Sequence, residues 1–70
     1  MEISIREGEE FIKLGQLLKK AGLVGSGVEA KIVIAEGEVT VNGEVDTRRG
    51  RKIYPGDEVS FSDETIKVTR

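Results

Sequence analysis

The chain has 70 residues, of which 34% are charged, and a formal net charge of −2 at pH 7. A chain of this length forms one small domain and buries only about 60% of the surface that its unfolded form exposes. It contains neither cysteine nor histidine, which excludes disulfide bridges and the usual zinc ligands. These two residue types are also frequent nucleophiles and general bases, so we expect no enzymatic activity, no metal site and no cofactor.

No apolar run approaches the ~20 residues that a transmembrane helix requires. The N-terminal residues also lack the basic region and apolar core of a secretory signal. We therefore expect a cytoplasmic protein that has no membrane contact.

The N-terminal part of the chain predicts a strand followed by a helix. Ile3 and Ile5 alternate with polar neighbours, as in a short half-buried strand. Further along, apolar residues recur with the spacing of one helical face, namely Leu14, Leu17, Leu18 and Ala21. Gly22 is suited to end this helix because glycine readily adopts a positive φ.

Ser26 and Glu29 predict the start of a second helix. In such a capping box the Ser26 hydroxyl accepts from the backbone N–H of Glu29, and the Glu29 carboxylate accepts from the backbone N–H of Ser26. We expect the helix to run to about Glu36 and to end at Gly37. Its expected buried residues are Ala30, Val33 and Ile34, with Ile32 or Val28 at the margin.

The pair Asn42-Gly43, between valine-rich arms, predicts a β-hairpin with a type I′ turn. A two-residue turn places Val39 opposite Asp46, and so puts an acidic residue on the valine face. We therefore expect the second arm to leave the ladder soon, with residues 46–51 forming an irregular loop.

Two more strands are expected near the C-terminus. Val59 and Phe61 alternate after Pro55-Gly56, which suits the central positions of a type II turn. Ile66 and Val68 mark a last short strand, whose candidate partner is the N-terminal strand.

Positive charge is concentrated in one short segment, the basic cluster, which consists of Arg48, Arg49, Arg51 and Lys52. Without these four charges the formal net charge of −2 would be −6. A compact basic cluster on an otherwise acidic chain favours docking of an anion such as a nucleic-acid backbone, and guanidinium groups match phosphate oxygens well. Alternatively, the arginines pair with nearby acids such as Glu44 or Asp46, and the sequence leaves both interpretations open.

The order of these motifs resembles the S4-type RNA-binding domain. Residues 13–22 resemble the first helix of that family, and residues 26–31 the start of its second. Residues 37–43 and 55–59 resemble its most recognisable segments. The resemblance covers about residues 11–61, and the chain resembles the small stand-alone bacterial members of the family.

The resemblance implies an α+β fold, in which an S4-like two-helix motif is followed by a small, mainly antiparallel sheet. It implies a single domain over residues 1–70, with short terminal strands outside the core of residues 11–61. The implied function is binding of structured RNA, ribosomal or transfer RNA, mainly through phosphate contacts and shape. The residues expected to contact RNA are Lys13, Lys19, Lys20, Ser26, Lys31, Arg48, Arg49, Arg51 and Lys52.

Two positions depart from the family pattern. Gly27 stands where the family usually has arginine, and Gly15 stands where it often has aspartate. We expect the missing arginine to make RNA binding more dependent on the basic cluster.

A protein-interaction adaptor is the alternative function, with the basic cluster docked on an acidic partner. In either case we expect a monomer, and a contact between the acidic residues near the N-terminus and a basic ribosomal protein is left open.

Overall fold

Two helices and two β-sheets share one hydrophobic core in the computed structural model, which describes residues 1–70. The helices are α1 (Leu14–Lys20) and α2 (Gly27–Ala35). The strands are β1 (Glu2–Ser4), β2 (Ile12–Lys13), β3 (Val39–Val41), β4 (Glu44–Val45), β5 (Lys52–Ile53), β6 (Glu58–Phe61) and β7 (Glu64–Thr69). Neither helix has the length and apolar character needed to cross a membrane.

The larger sheet has five strands in the order β1-β7-β6-β3-β4. Only β1 and β7 run parallel, and the other neighbours are antiparallel. Ile3 lies opposite Val68, and the N–H of Ile5 extends the pairing by donating to the carbonyl of Thr69 at 2.8 Å. The expected α+β fold with a mainly antiparallel sheet is confirmed, as is the pairing of the two terminal strands.

Helix α1 buries the apolar face that its spacing predicts, since Leu14, Leu17 and Leu18 are fully buried. The helix ends in a Schellman motif at Gly22, which has a φ of +76°. There the N–H of Gly22 donates to the carbonyl of Lys19, and the N–H of Leu23 donates to the carbonyl of Leu18. Because this motif stops the helix at once, α2 follows after a short connection and packs against α1.

The start of α2 confirms one half of the predicted capping box and corrects the other. The Ser26 hydroxyl accepts from the N–H of Glu29 at 3.1 Å, as expected. The Glu29 carboxylate, however, accepts from the N–H of Gly25 at 2.6 Å and not from that of Ser26. Ser26 has an extended backbone with a φ of −159°, and the preceding amide is the one that reaches the carboxylate over the first turn.

The buried face of α2 consists of Ala30, Val33 and Ile34, as predicted. The expected margin was wrong, because Val28 and Ile32 are 69% and 50% exposed. At about 100° per residue, these two positions, four residues apart, lie on the side of the helix opposite Ala30. They therefore face solvent.

Ser26→Ala is expected to lower the free energy of unfolding by about 1 kcal/mol, because the N-cap hydrogen bond to Glu29 is lost. Chemical denaturation measures the change. Ser4→Ala is the matched control, since Ser4 is exposed and its hydroxyl has no hydrogen-bond partner. Equal midpoints for the two variants would show that the Ser26 hydroxyl does not stabilise α2.

The predicted hairpin forms between β3 and β4, with positive φ at Asn42 and Gly43. Its second strand ends at Val45, and residues 46–51 form a loop, as expected. The N–H of Asp46 still donates to the carbonyl of Val39 at 3.2 Å. With this hydrogen bond in place, the Asp46 side chain points into the protein, where only 6% of it is exposed. The first residue of the loop is therefore a buried carboxylate.

Candidate nucleic-acid interface

A cleft of about 680 Å³ lies where α1, the start of α2 and the loop of residues 46–51 meet. This interhelical cleft is lined by Lys13, Gly15, Gln16, Lys19, Ser26, Gly27, Val28, Ala30, Lys31, Arg49 and Gly50. Its charged lining residues are all basic, although acidic residues outnumber basic ones in the chain. The cleft is therefore a local concentration of positive charge on an acidic protein.

The first turn of α2 opens into the interhelical cleft. The Ser26 hydroxyl and carbonyl accept from the N–H groups of Glu29 and Ala30, while the N–H groups of Gly27 and Val28 have no partner within the protein. A Cβ at Gly27 would have no atom within 4 Å, so the approach to these amides is open. Free N–H groups at a helix start add partial positive charge to the lysines and arginine of the cleft.

Asp46 forms hydrogen bonds with two of the four residues of the basic cluster. Its carboxylate accepts from the backbone N–H of Arg48 at 2.9 Å, from Nε and Nη2 of Arg48 at 3.1 and 2.8 Å, and from Nη1 of Arg51 at 2.8 Å. Hydrogen bonds from Arg48 hold the pKa of Asp46 well below its usual range; burial opposes this effect and Arg51 adds to it. Pairing with a nearby acid, one of the two interpretations of the cluster, therefore holds for Arg48 and Arg51.

Arg49 lies between these two arginines in sequence but points into the interhelical cleft. Its carbonyl accepts from the N–H of Gly15 at 3.0 Å, and the carbonyl of Arg51 accepts from the N–H of Leu14 at 2.9 Å. These two backbone amides have no partner within α1, and their hydrogen bonds hold the loop against the start of the helix. Arg49 has no acidic group within 4.0 Å, so its charge is not neutralised by a neighbour.

The other predicted RNA-contacting residues lie beside the interhelical cleft or apart from it. Arg48, Arg51 and Lys52 line a second concavity of about 400 Å³, and Gly50 lines both spaces. The ammonium of Lys52 lies 5.0 Å above the ring of Phe11. Lys20 is separate, because its ammonium donates to the carbonyl of Ser4 at 3.1 Å and it lines a third concavity near the N-terminal strand.

Of the nine residues predicted to contact RNA, the structure brings five together in the interhelical cleft: Lys13, Lys19, Ser26, Lys31 and Arg49. It also places Gln16 there, which the sequence prediction missed. Gln16 lies three residues after Lys13 and three before Lys19, so helical spacing could have revealed it. The sequence prediction also missed that Asp46 holds the loop by accepting hydrogen bonds from Arg48 and Arg51, although the predicted hairpin register had placed Asp46 on the valine face.

Acidic side chains occupy the opposite end of α2. The neighbouring carboxyl group of Glu36 raises the pKa of Glu38 above its ordinary value. These two residues follow the last turn of α2, whereas Ser26 caps its start and Lys31 lies at its middle, so the acidic pair lies away from the cleft.

Comparison with known proteins finds a matching family model and similar sequences. A family model described as "S4 domain" matches residues 3–69. The chain is 56% identical over 52 residues to "Probable ribosome maturation protein RlbA" of Bacillus subtilis, a match that covers 74% of this chain and 73% of that protein. It is 47% identical over 57 residues to "Putative RNA-binding protein YbcJ" of Escherichia coli, with 81% of each chain covered.

Solved structures show the same fold. The solution structure of YbcJ from E. coli, described as revealing an ALFAL motif involved in RNA-binding, superimposes with a TM-score of 0.73. That match has 40% sequence identity and covers 99% of this chain and 86% of the other. A pseudouridylate synthase crystal structure gives a TM-score of 0.72 at 23% identity, covering 80% of this chain but 24% of the synthase. This second match concerns the fold alone.

Proposed function

Since the chain belongs to the S4 domain family, we propose that it binds structured RNA in its interhelical cleft. One observation carries this proposal: Lys13, Lys19, Lys31 and Arg49 converge in a single cleft without an acidic lining residue. Basic side chains that contact phosphates supply much of the affinity for nucleic acid and fix its position on the protein. The names of the E. coli relative and its solution structure refer to RNA binding, which supports the proposal.

We propose that the protein recognises the shape of the RNA more than its base sequence. The chain has three aromatic residues. Two of them, Phe11 and Tyr54, contact each other with ring centroids 5.9 Å apart, and Phe61 packs against the core. An array of free aromatic rings, on which unpaired bases usually stack, is therefore missing from the cleft.

Ribosomal RNA is the partner that we favour over transfer RNA. The name of the B. subtilis relative refers to ribosome maturation. We propose a cytoplasmic, monomeric binding module that performs no reaction of its own. The phosphate contacts would come from the cleft residues, with the second concavity as an extension.

Ultraviolet crosslinking in cells, followed by sequencing of the bound RNA, tests the proposed function. We expect a defined segment of ribosomal RNA to be enriched over a tagged control protein of similar size. Enrichment of transfer RNA would overturn the choice of partner. Recovery of no RNA above the control would contradict RNA binding, and co-purification of an acidic protein with the tagged chain would then favour the adaptor function.

Gly27→Arg is expected to strengthen RNA binding by about tenfold at low salt, because it adds one phosphate contact at the rim of the cleft. The space is available, since a Cβ at this position meets no atom within 4 Å. In a salt titration the slope of log affinity against log salt should become steeper by about 0.7–0.9. Gly27→Gln is the neutral control, and equal affinity for the two variants would contradict a phosphate contact at this position.

A further inference from the structure

We propose that Gly15 is a positioning residue, whose missing side chain allows Arg49 to lie in the interhelical cleft as the unneutralised arginine of the basic cluster. The inference rests on the proposed function, because RNA phosphate is the ligand that Arg49 would contact. It assigns different roles to three arginines that the sequence presents as equivalent. Arg48 and Arg51 hold the loop through Asp46, and Arg49 is left to bind RNA.

The first step of the argument is the contact between Arg49 and Gly15. A Cβ at residue 15 would lie 2.9 Å from Cγ of Arg49 and 3.6 Å from its Cδ. Carbon atoms in good contact are about 3.5–4.0 Å apart, so even alanine would collide with the stem of Arg49. The stem lies directly on the backbone of α1, and this close approach requires glycine.

The second step is that the backbone of Arg49 is held on both sides and therefore cannot move away from a new Cβ. On one side, the carbonyl of Arg49 accepts from the N–H of Gly15 at 3.0 Å. On the other, the neighbouring Arg48 is fixed by its backbone N–H and its guanidinium, both of which donate to Asp46. A side chain at residue 15 would consequently displace the Arg49 side chain from its place over α1.

The third step concerns charge. Asp46, Arg48 and Arg51 form one hydrogen-bonded group, in which a single negative charge opposes two positive charges. Arg49 has no acidic group within 4.0 Å, and it shares the interhelical cleft with Lys13, Lys19 and Lys31. Its guanidinium is therefore free to form a bidentate pair of hydrogen bonds with phosphate.

A double-mutant cycle tests the inference, with a fluorescein-labelled stem-loop of ribosomal RNA as the probe. Arg49→Gln should weaken binding about tenfold at about 0.1 M salt and shallow the salt slope by about 0.7–0.9. Gly15→Ala should weaken binding severalfold in the wild-type background but less than twofold in the Arg49→Gln background. An equal effect of Gly15→Ala in both backgrounds, or no effect in either, would overturn the proposed role of Gly15.

Lys67→Gln is the matched control for Arg49→Gln. It removes one positive charge from an exposed residue that does not line the interhelical cleft, and it should change the salt slope by less than half as much. Arg49→Lys keeps the charge and should recover most of the slope. If Lys67→Gln and Arg49→Gln change the slope equally, Arg49 has no special part in RNA binding and the inference is wrong.

A second measurement needs no RNA. In ¹H–¹⁵N spectra of the free protein, Gly15→Ala should shift the Nε–H resonance of Arg49, and an unchanged resonance would refute the positioning contact. The two proposals can thus fail separately. If the wild-type protein binds no RNA, the proposed function fails while this spectrum still tests the contact. If binding depends on the lysines of the cleft but not on Arg49, the proposed function stands and the inference fails.

Discussion

Asp46→Asn is expected to lower the free energy of unfolding by about 2 kcal/mol at pH 7, since hydrogen bonds to a charged group contribute about 1.5–3 kcal/mol. For a domain of this size that change corresponds to a fall of about 10 °C in melting temperature. The Asp46 side chain is only 6% exposed and accepts hydrogen bonds from Arg48 and Arg51. Asparagine keeps the shape of this side chain but presents an amide donor to the guanidinium groups.

The pH dependence of the same variant has a defined sign. Hydrogen bonds from Arg48 lower the pKa of Asp46 in the folded protein far below the value of about 3.9 that an unfolded chain gives. A carboxyl group with a depressed folded pKa stabilises the protein fully above its unfolded pKa, and this contribution declines as pH falls through the folded pKa. The difference in unfolding free energy between wild type and Asp46→Asn should therefore be full above about pH 5 and shrink below about pH 4.

Chemical denaturation at pH 7 and at several values below pH 4 measures both effects. Asp63→Asn is the matched control, because Asp63 is exposed and has no hydrogen-bonded partner. Equal unfolding midpoints for the two variants at pH 7 would contradict a stabilising role for Asp46. A difference that persists unchanged to the lowest pH would show that the charge of Asp46 is not its cause.

Local patterns predicted most elements of this fold, but they missed β2 and its pairing with β5, because the sequence prediction assigns Lys13 to the first helix, whereas it lies in a strand. The leucines of α1, the Ser26 cap and the Asn42-Gly43 turn each depend on residues within a few positions of one another, and all three were found where the sequence placed them. Asp46 shows where such patterns stop being informative. The hairpin register places it on the valine face, but only the folded loop brings Arg48 and Arg51 around it.

The interhelical cleft was harder to predict than the fold, because its walls are distant in sequence. Arg49 meets Gly15 across 34 positions, and no local periodicity relates the two. Lys19 and Lys20 give a second example, since they lie three and four residues after Gln16 and flank it on the helix surface. Only the position of the neighbouring strands decides that Lys19 lines the cleft while Lys20 binds the carbonyl of Ser4.

Lys13→Gln/Lys31→Gln is expected to weaken binding of a ribosomal RNA stem-loop by about 10- to 100-fold at about 0.1 M salt. Each lost phosphate contact should also shallow the slope of log affinity against log salt by about 0.7–0.9, or about 1.4–1.8 for the pair. Both lysines are exposed and line the interhelical cleft, Lys13 from the residue before α1 and Lys31 from the middle of α2. Replacing these two exposed lysines should therefore weaken RNA binding without a comparable loss of stability. Thermal unfolding of the same double variant checks its stability.

Lys67→Gln/Arg70→Gln is the control that separates local contact from overall charge. Both residues are exposed and neither lines the cleft, and the control changes the net charge by the same two units. If binding depended only on the total charge of this acidic protein, the two double variants would weaken it equally, and the cleft would have no special role. If phosphates lie in the cleft, the control should keep nearly the whole salt slope, because long-range attraction between exposed charges is largely screened at this ionic strength. Lys13→Arg/Lys31→Arg, which keeps both charges in place, should then bind RNA about as well as the wild-type protein.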